Sequence, residues 1–149
     1  MSLTFESAGG AGVCPPEETY TLQIAKIGKE WVERENFNDK SKIDLNADIT
    51  FKVVDVPADF DEDERDTWIG FEFNKYYRKP GRISDDRGAL NNLICAALSV
   101  AKLTDDDTFN ADELIGKKFM ADIEPTASGY PKIARHRPLK KKAKPAPKP

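Results

Sequence analysis

A strict two-residue alternation over residues 42–53 is the sequence feature that most constrains this fold. Polar or charged side chains take every second position of KIDLNADITFKV, and the positions between them are apolar. The apolar positions are Ile43, Leu45, Ala47, Ile49, Phe51 and Val53. Because successive side chains of a strand point to opposite faces, this pattern predicts a strand with one buried and one solvated face. Such half-buried strands are typical of antiparallel sheets.

Four further segments show a shorter form of the same alternation. Their apolar positions are Tyr20, Leu22 and Ile24; Ile69, Phe71 and Phe73; Phe119, Ala121 and Ile123; and Ile133. The Ser-Gly pair of TASGY, between the last two segments, is typical of a hairpin turn. The first segment extends over residues 19–35, long enough to serve both halves of a curled sheet, with a bulge expected at residues 26–28.

One segment changes to helical spacing. In RGALNNLICAALSVAKL the apolar positions recur every three or four residues, at Leu90, Leu93, Ile94, Ala97, Leu98 and Ala101. This stripe predicts a single helix that packs on the sheet, with Asp85 or Asp86 as its N-cap. NADELIG is predicted to form a short turn. The order is therefore three strands, one helix and two strands.

This order predicts a mainly β protein with one helix, a five-stranded antiparallel barrel of the oligonucleotide/oligosaccharide-binding (OB) type. An α+β sandwich would give the same string of elements. The barrel domain is predicted over residues 18–138. Residues 1–17, rich in Gly and Pro, are expected to form a flexible lead-in, and residues 139–149 a disordered Lys/Pro-rich tail.

Composition excludes several classes of protein. The 149 residues are 39% apolar and 33% charged, and no apolar run approaches the roughly 18 residues of a membrane span. Two cysteines, Cys14 and Cys95, lack the spacing of a zinc site or disulfide framework, so both are expected to be free thiols. We therefore expect a cytoplasmic protein with no membrane association, no metal and no cofactor. With one histidine and no nucleophile motif, no enzymatic activity is expected.

Charge is segregated along the chain. From Tyr130 onward there are eight Lys and Arg and no acid, whereas the first 129 residues carry 15 basic and 26 acidic side chains. The acids are concentrated in residues 55–66, which are predicted to be a solvated loop and, alternatively, the docking site of a protein partner. The basic tail would attract phosphate without reading sequence, or would fold back on the acidic loop.

Two long segments resemble a known group of proteins. PPEETYTLQIAKI and DELIGKKFMADIEPTASGYPKIARHRP look like parts of small phage-encoded proteins that are similar to single-stranded-DNA-binding OB proteins. The matching turn and strand positions are Leu114, Ile115, Gly116, Gly129, Tyr130 and Pro138. The resemblance covers residues 15–138. It implies an OB fold, no enzymatic activity and a role in phage DNA replication or recombination, hence a place in the host cytoplasm.

The end of the chain departs from that resemblance. Bacterial single-stranded-DNA-binding proteins finish in an acidic tail that recruits partners, whereas this chain finishes KKKAKPAPKP. Recruitment by that route is not expected here.

The stretch FNKYYRKPGR supplies the side chains that such binding requires. Proteins that hold single strands without reading sequence combine rings on which bases stack with cations that follow the phosphates. Strand parity places Trp68, Asn74, Tyr76 and Arg78 on the outer face and turns Tyr77 toward the core. Tyr76 could equally be a cross-strand surface aromatic, and Trp31 a core residue. The acids Asp48 and Glu72 share the outer face and would repel phosphate unless they pair with neighbours such as Lys52.

These considerations define a candidate nucleic-acid-binding set. Its members are Trp31, Lys52, Trp68, Asn74, Tyr76, Tyr77, Arg78, Lys79, Arg82, Lys132, Arg135, Arg137, Lys140, Lys141 and Lys142. The expected partner is single-stranded DNA, with single-stranded RNA left open. The alternative is an OB-type protein-interaction module of a phage replication or virion assembly.

Overall fold

The computed structural model describes residues 13–36 and 39–139. The predictions for the first 12 residues and for the lysines at 140, 141 and 142 lie outside the described residues. Within the described part, six strands and three helices follow one another along the chain. They are β1 (Glu18–Ile27), β2 (Val32–Glu35), β3 (Ile43–Asp55), α1 (Glu62–Trp68), β4 (Glu72–Arg78), α2 (Ala89–Leu98), α3 (Ala111–Leu114), β5 (Lys118–Pro125) and β6 (Pro131–Arg137).

The strands form one open antiparallel sheet, so the mainly β, antiparallel character predicted from the sequence is confirmed. The 13-residue strand β3 organises this sheet. Along one of its edges it pairs with β2 and then β1, and along the other with β4. Strand β1 continues the sheet to β5, and β5 to β6. Backbone pairing in the described residues leaves β4 and β6 as separate ends of the sheet. The backbone ladders therefore form an open six-stranded sheet and do not confirm the predicted closed five-stranded barrel.

The sixth strand arises because the long first segment is interrupted. Ile27 pairs with Ile49, and the next pair is Val32 with Asn46. Residues 28–31 therefore stand opposite only two residues of β3 and must bulge out of the ladder. A further register shift lies between Ile24 and Lys26, so the irregularity spans more of the chain than the bulge expected at residues 26–28.

The core lies between the inner face of the curved sheet and helix α2. Phe51 is at its centre, with ring centroids of Phe73, Tyr77 and Phe119 at 5.7, 6.0 and 5.6 Å. Leu93 and Ile94 of α2 are buried against these strands. The predicted alternation of β3 is confirmed at its C-terminal half, whereas Ile43 at its beginning is exposed. At this end, β3 pairs with the short edge strand β2 and lies beyond the core.

Helix α2 starts later and ends earlier than its sequence pattern suggests. The N-cap is Gly88, not Asp85 or Asp86, and it makes no side-chain capping bond. The Asp85 carboxylate instead accepts a hydrogen bond from the backbone N–H of Arg87 at 3.0 Å, which forms the turn before the helix. Ser99 adopts a left-handed conformation at the C-cap, so Ala101 lies outside the helix. The short turn predicted at NADELIG contains one helical turn, α3, capped by Asn110.

The acidic segment is not simply a loop, because its second half forms helix α1. Asp61 is the N-cap and Glu64 closes a capping box with it, at 2.8 and 3.1 Å. Two reciprocal bonds of this kind satisfy backbone N–H groups that a helix start leaves unpaired. Trp68 therefore ends a helix and is not on the outer face of a strand, which corrects its predicted position. It packs edge-on against Phe71, with ring centroids 5.3 Å apart.

Side chains connect the two end strands across a seam between β4 and β6. The Tyr77 hydroxyl and His136 Nε2 share a hydrogen bond of 2.7 Å, and the Lys75 ammonium donates to the carbonyl oxygen of Pro131 at 2.9 Å. The sheet is therefore curled far enough to bring its ends together. Residues 13–17, assigned from sequence to the flexible lead-in, include the fully buried Pro15 and the carbonyl of Pro16, which accepts a hydrogen bond from Tyr20.

Candidate nucleic-acid interface

The outer face of β2, β3 and β4 gathers the side chains that carry the candidate site. Antiparallel register places Val32, Asn46 and Arg78 in one row, and Asp48 opposite Tyr76 in another. Because side chains alternate across a strand, every second residue of these three strands lies on the same surface. We call this surface the β2–β4 face. It carries Arg34, Asp44, Asp48, Thr50, Lys52, Glu72, Asn74, Tyr76 and Arg78.

Tyr76 is the central ring of the β2–β4 face, as strand parity predicted. Its side chain is 43% exposed, and the guanidinium carbon of Arg34 lies 4.0 Å from the ring centroid. At that distance the cation and the ring attract each other through the ring quadrupole. Arg34 was not among the predicted residues. Its segment, VERE, has no apolar alternation, and only the pairing of β2 with β3 brings Arg34 onto this surface.

Trp31 supplies a second exposed ring, next to the β2–β4 face but not part of it. It belongs to the four residues that bulge between β1 and β2, and it is 42% exposed, so it is not a core residue. The ammonium of Lys79 lies 5.3 Å from its ring centroid. Lys79 is held in place by its own backbone N–H, which donates to the carbonyl oxygen of Leu45 at 2.7 Å. Two predicted residues, far apart in sequence, are thereby brought together.

The acids of the β2–β4 face have partners on the same surface. Asp44 lies 3.6 Å from the Arg78 guanidinium, and Asp48 accepts a hydrogen bond of 2.8 Å from the Asn74 amide. Lys52, the neighbour suggested from sequence as a partner of Asp48 and Glu72, stands opposite Glu72 in the register. The face is therefore close to electrically neutral. Among the described residues, neither Arg34 nor Lys79 forms an ion pair, and each lies over an aromatic ring instead.

Tyr77 points the opposite way from Tyr76. It is buried in the core, as predicted, and burial raises the pKa of its hydroxyl well above the usual range. Its ring therefore offers no stacking surface. Arg82 lies in the connection between β4 and α2, 3.8 Å from the Asp105 carboxylate and not on the β2–β4 face. Of the predicted residues, Tyr77, Trp68 and Arg82 do not share this surface.

A second group of cations lies on the outer face of β6, beyond the seam. Arg137 donates to both oxygens of Asp122, at 2.8 and 3.1 Å, and this hydrogen bonding lowers the pKa of the Asp122 carboxyl. Arg135 stands opposite Asp122 in the ladder, and Lys132 opposite Glu124. The three predicted residues of β6 are thus on one surface, each beside an acid of β5.

Two titratable residues that the site prediction omitted line the seam from inside. His136 is mostly buried and stacks on Phe119, with ring centroids 5.7 Å apart, and burial lowers its pKa to about 4. It is therefore a neutral interior side chain at pH 7. Lys75 is half-buried, and desolvation together with the nearby Lys132 lowers its pKa. Both residues contact the opposite strand across the seam and are not part of the β2–β4 face.

The thiols and acids add no further chemistry to this surface. Cys14 and Cys95 are free thiols, as predicted, and burial raises the pKa of each. Within residues 13–36 and 39–139, His, Cys, Asp and Glu side chains form no group of three or more that could hold a metal ion. Among the helices of the same residues, none has the length and apolar character needed to cross a membrane.

Comparison with protein-family models, curated proteins and solved structures gives no match to this chain.

Proposed function

We propose that this protein binds single-stranded DNA without sequence preference and acts in phage DNA replication or recombination. The observation that carries the proposal is the presence of two exposed rings, Tyr76 on β4 and Trp31 in the bulge before β2, each with a cation beside it. Stacking of a base on such a ring contributes roughly 1–3 kcal/mol, whatever the base. The phage setting rests on the resemblance of residues 15–138 to phage-encoded proteins.

The cations are placed to hold the backbone of a strand whose bases stack on the rings. When a base covers Tyr76, the Arg34 guanidinium moves from the ring to the adjoining phosphate, and Lys79 does the same at Trp31. Both side chains are long and exposed, so this rearrangement costs little. Because phosphate contacts release counterions, binding by this route weakens as salt concentration rises.

We further propose that the curled sheet is an OB barrel whose seam lies between β4 and β6. Lys75 contacts Pro131, and Tyr77, further along β4, contacts His136, further along β6. Residue numbers thus increase in the same direction on the two strands, as they do in a parallel pair. Helix α2, between β4 and β5, occupies the place of the OB helix. The β2–β4 face then corresponds to the strand 2–3 surface through which OB proteins bind oligonucleotides.

Titration with oligo-dT at two salt concentrations tests this function. Trp31 fluorescence should be quenched on binding, and the affinity should fall at the higher salt. Trp68 is packed on Phe71, so a Trp31→Phe variant should retain binding but lose most of the quenching. Parallel titrations with oligo-rU and duplex DNA rank the three ligands, with duplex expected to bind weakest. Absence of binding to oligo-dT at low salt would refute the proposal.

A second candidate function is a protein-interaction module, and helix α1 is the observation that favours it. This helix has no buried residue, and its acids point into solvent while the capping box fixes its shape. An exposed acidic helix is suited to a basic protein partner. Substitution of Glu62, Asp63 and Asp66 by their amides leaves the capping box intact. Under the DNA-binding function these amides should leave oligo-dT binding unchanged or tighter, whereas a protein-interaction role predicts loss of a partner.

The same variant tests whether the basic tail competes with DNA by contacting α1. If it does, removal of three negative charges frees the tail, and oligo-dT binding should tighten. Deletion of residues 58–66 is the less suitable test, because it removes Phe60, whose ring packs edge-on against the buried Tyr20 at 5.8 Å.

A further inference from the structure

A cavity of about 400 Å³ opens beside the Trp31–Lys79 pair. It lies where the bulge between β1 and β2, the segment after β4, and helices α2 and α3 come together. Its volume is within the range of about 300–1,000 Å³ that is typical of small-molecule sites. Neither the predicted nor the proposed binding set includes the interior of this cavity.

The floor and the rim of this cavity differ in chemistry. The floor is formed by buried apolar side chains that line it from β3, α2 and α3, among them Ile49, Leu90, Ile94 and Leu114. Phe109 adds a partly buried ring. Two basic and two acidic residues belong to the rim, Lys29, Lys79, Glu30 and Asp107. An apolar interior with a few polar groups at its entrance is the usual design of a ligand pocket.

We propose that this cavity receives one unstacked nucleobase of the single strand that stacks on Trp31. The inference rests on the proposed function and adds a base-binding pocket to it. Trp31 and Lys79 belong to the rim, so a strand with a base stacked on Trp31 passes beside the opening. A planar, uncharged heterocycle matches the apolar floor and gains by leaving water.

The balance of charge at the rim favours a base within a strand over a free nucleotide. Two cations and two carboxylates leave no net positive charge to hold the phosphate of a mononucleotide. In a strand, the phosphates flanking the inserted base remain outside, where Lys79 at the rim can meet them. A base held in this way is extruded from the stack, as in proteins that take single bases out of a strand.

A pocket-filling substitution with a matched control tests this proposal. Ala111, the exposed first residue of α3, lines the cavity, whereas Ala101, also exposed, does not. Ala111→Leu should therefore fill the opening, and Ala101→Leu adds the same atoms elsewhere. The probe is an oligo-dT strand with 5-iodouracil in place of single thymines, cross-linked by light and mapped by mass spectrometry. Thermal unfolding of both variants verifies that each is folded.

The expected result is a cross-link to Phe109 in the unmodified protein and in Ala101→Leu, and its loss in Ala111→Leu. Affinity for oligo-dT should fall about tenfold in Ala111→Leu, the value of one held base, and stay unchanged in the control. Cross-links to Trp31 alone, with equal affinity in all three proteins, would overturn the pocket while leaving the proposed function standing. No binding of oligo-dT by the unmodified protein would overturn both.

Should Ala111→Leu fail to fold, Thr108→Leu fills the rim from the preceding loop. Thr108 is exposed and lines the cavity. The same loss of the Phe109 cross-link and of affinity is then expected, and its retention counts against the pocket.

Discussion

Tyr76 and Tyr77 are consecutive residues whose rings have opposite roles. The pleat of β4 sends Tyr76 to the solvent, beside Arg34, and Tyr77 to the core, beside His136. The first ring is exposed, whereas the second is buried and hydrogen-bonds across the seam to His136. Substitutions at these neighbouring positions should therefore affect different properties, one binding and the other stability.

Replacement of Tyr76 by Ala should lower oligo-dT affinity about tenfold, because one stacking surface worth roughly 1–3 kcal/mol is lost. Stability should change little, since the side chain is exposed. Tyr76→Phe keeps the ring and is the matched control, expected to bind nearly as well as the unmodified protein. Equal affinity of the Ala and Phe variants would show that the ring carries no base.

His136 should make stability depend on pH. Its folded-state pKa of about 4 lies below the ordinary value of 6.5, so the unfolded chain binds the proton more readily between these values. The contribution is complete above pH 6.5 and is lost as pH falls toward 4, by about 3 kcal/mol. Urea unfolding at pH 7.5, 6 and 5 measures this loss.

The control for this effect is His136→Gln, which keeps a hydrogen-bonding side chain near Tyr77 but does not titrate. Its free energy of unfolding should be lower at pH 7.5 and should fall less steeply between pH 7.5 and 5. Identical slopes for the two proteins would mean that the histidine is not the titrating group.

At the scale of elements, the sheet and helix α2 depend on each other. β3 provides the central ladder, but its inner face would be open to water without the side chains of α2. Each fully buried leucine contributes about 1.5–3 kcal/mol through removal from water. Helix α1, by contrast, buries no residue and depends on its capping box. The two helices therefore differ in function, α2 stabilising the core and α1 presenting charge.

Leu93→Ala should lower the free energy of unfolding by about 2–5 kcal/mol, because Leu93 is fully buried in α2 and its loss leaves a cavity. Asn92→Ala, on the exposed side of the same helix, should change it by less than about 0.5 kcal/mol. Chemical denaturation of both variants at pH 7.5 measures the difference. A small effect at Leu93 would mean that α2 is not docked on the sheet as described.

At the scale of the whole molecule, negative and positive charge occupy different parts of the chain. The acids of α1 and its preceding loop are followed, more than 60 residues later, by the cations of β6 and the tail. On the folded domain, Arg78 and Arg137 are paired with carboxylates. Under the proposed function, sequence-independent attraction to phosphate would therefore come mainly from Arg34, Lys79 and the lysines of the tail.

Replacement of the five tail lysines by Gln should weaken oligo-dT binding and reduce its salt dependence. Each lysine that contacts a phosphate contributes a slope of about −0.7 in a plot of log K against log salt concentration. The lysines are those at 140, 141, 142, 144 and 148. Titrations at four salt concentrations give the slope, and stability by thermal unfolding should be unchanged. An unaltered slope would show that the tail makes no contact with the strand.

The sequence by itself determined five of the six strands, the principal helix and the faces of both. Period-two and helical spacing of apolar residues follow directly from backbone geometry, so Tyr20, Phe51, Leu93 and Phe119 could be placed in the core from sequence alone. The same parity placed Tyr76 outside and Tyr77 inside. The sequence signals were weaker near Trp68, where the helix cap at Asp61 precedes an apparent strand alternation. For this reason helix α1 was missed and Trp68 was assigned to a strand.

Only the tertiary structure decided which distant residues form a surface together. The register of β2 against β3 brought Arg34 to Tyr76, and the bulge before β2 brought Trp31 to Lys79. The seam joined Tyr77 to His136, 59 residues away. Pairing of strands depends on turns, bulges and burial over the whole chain, and these long-range choices leave no local pattern of residues.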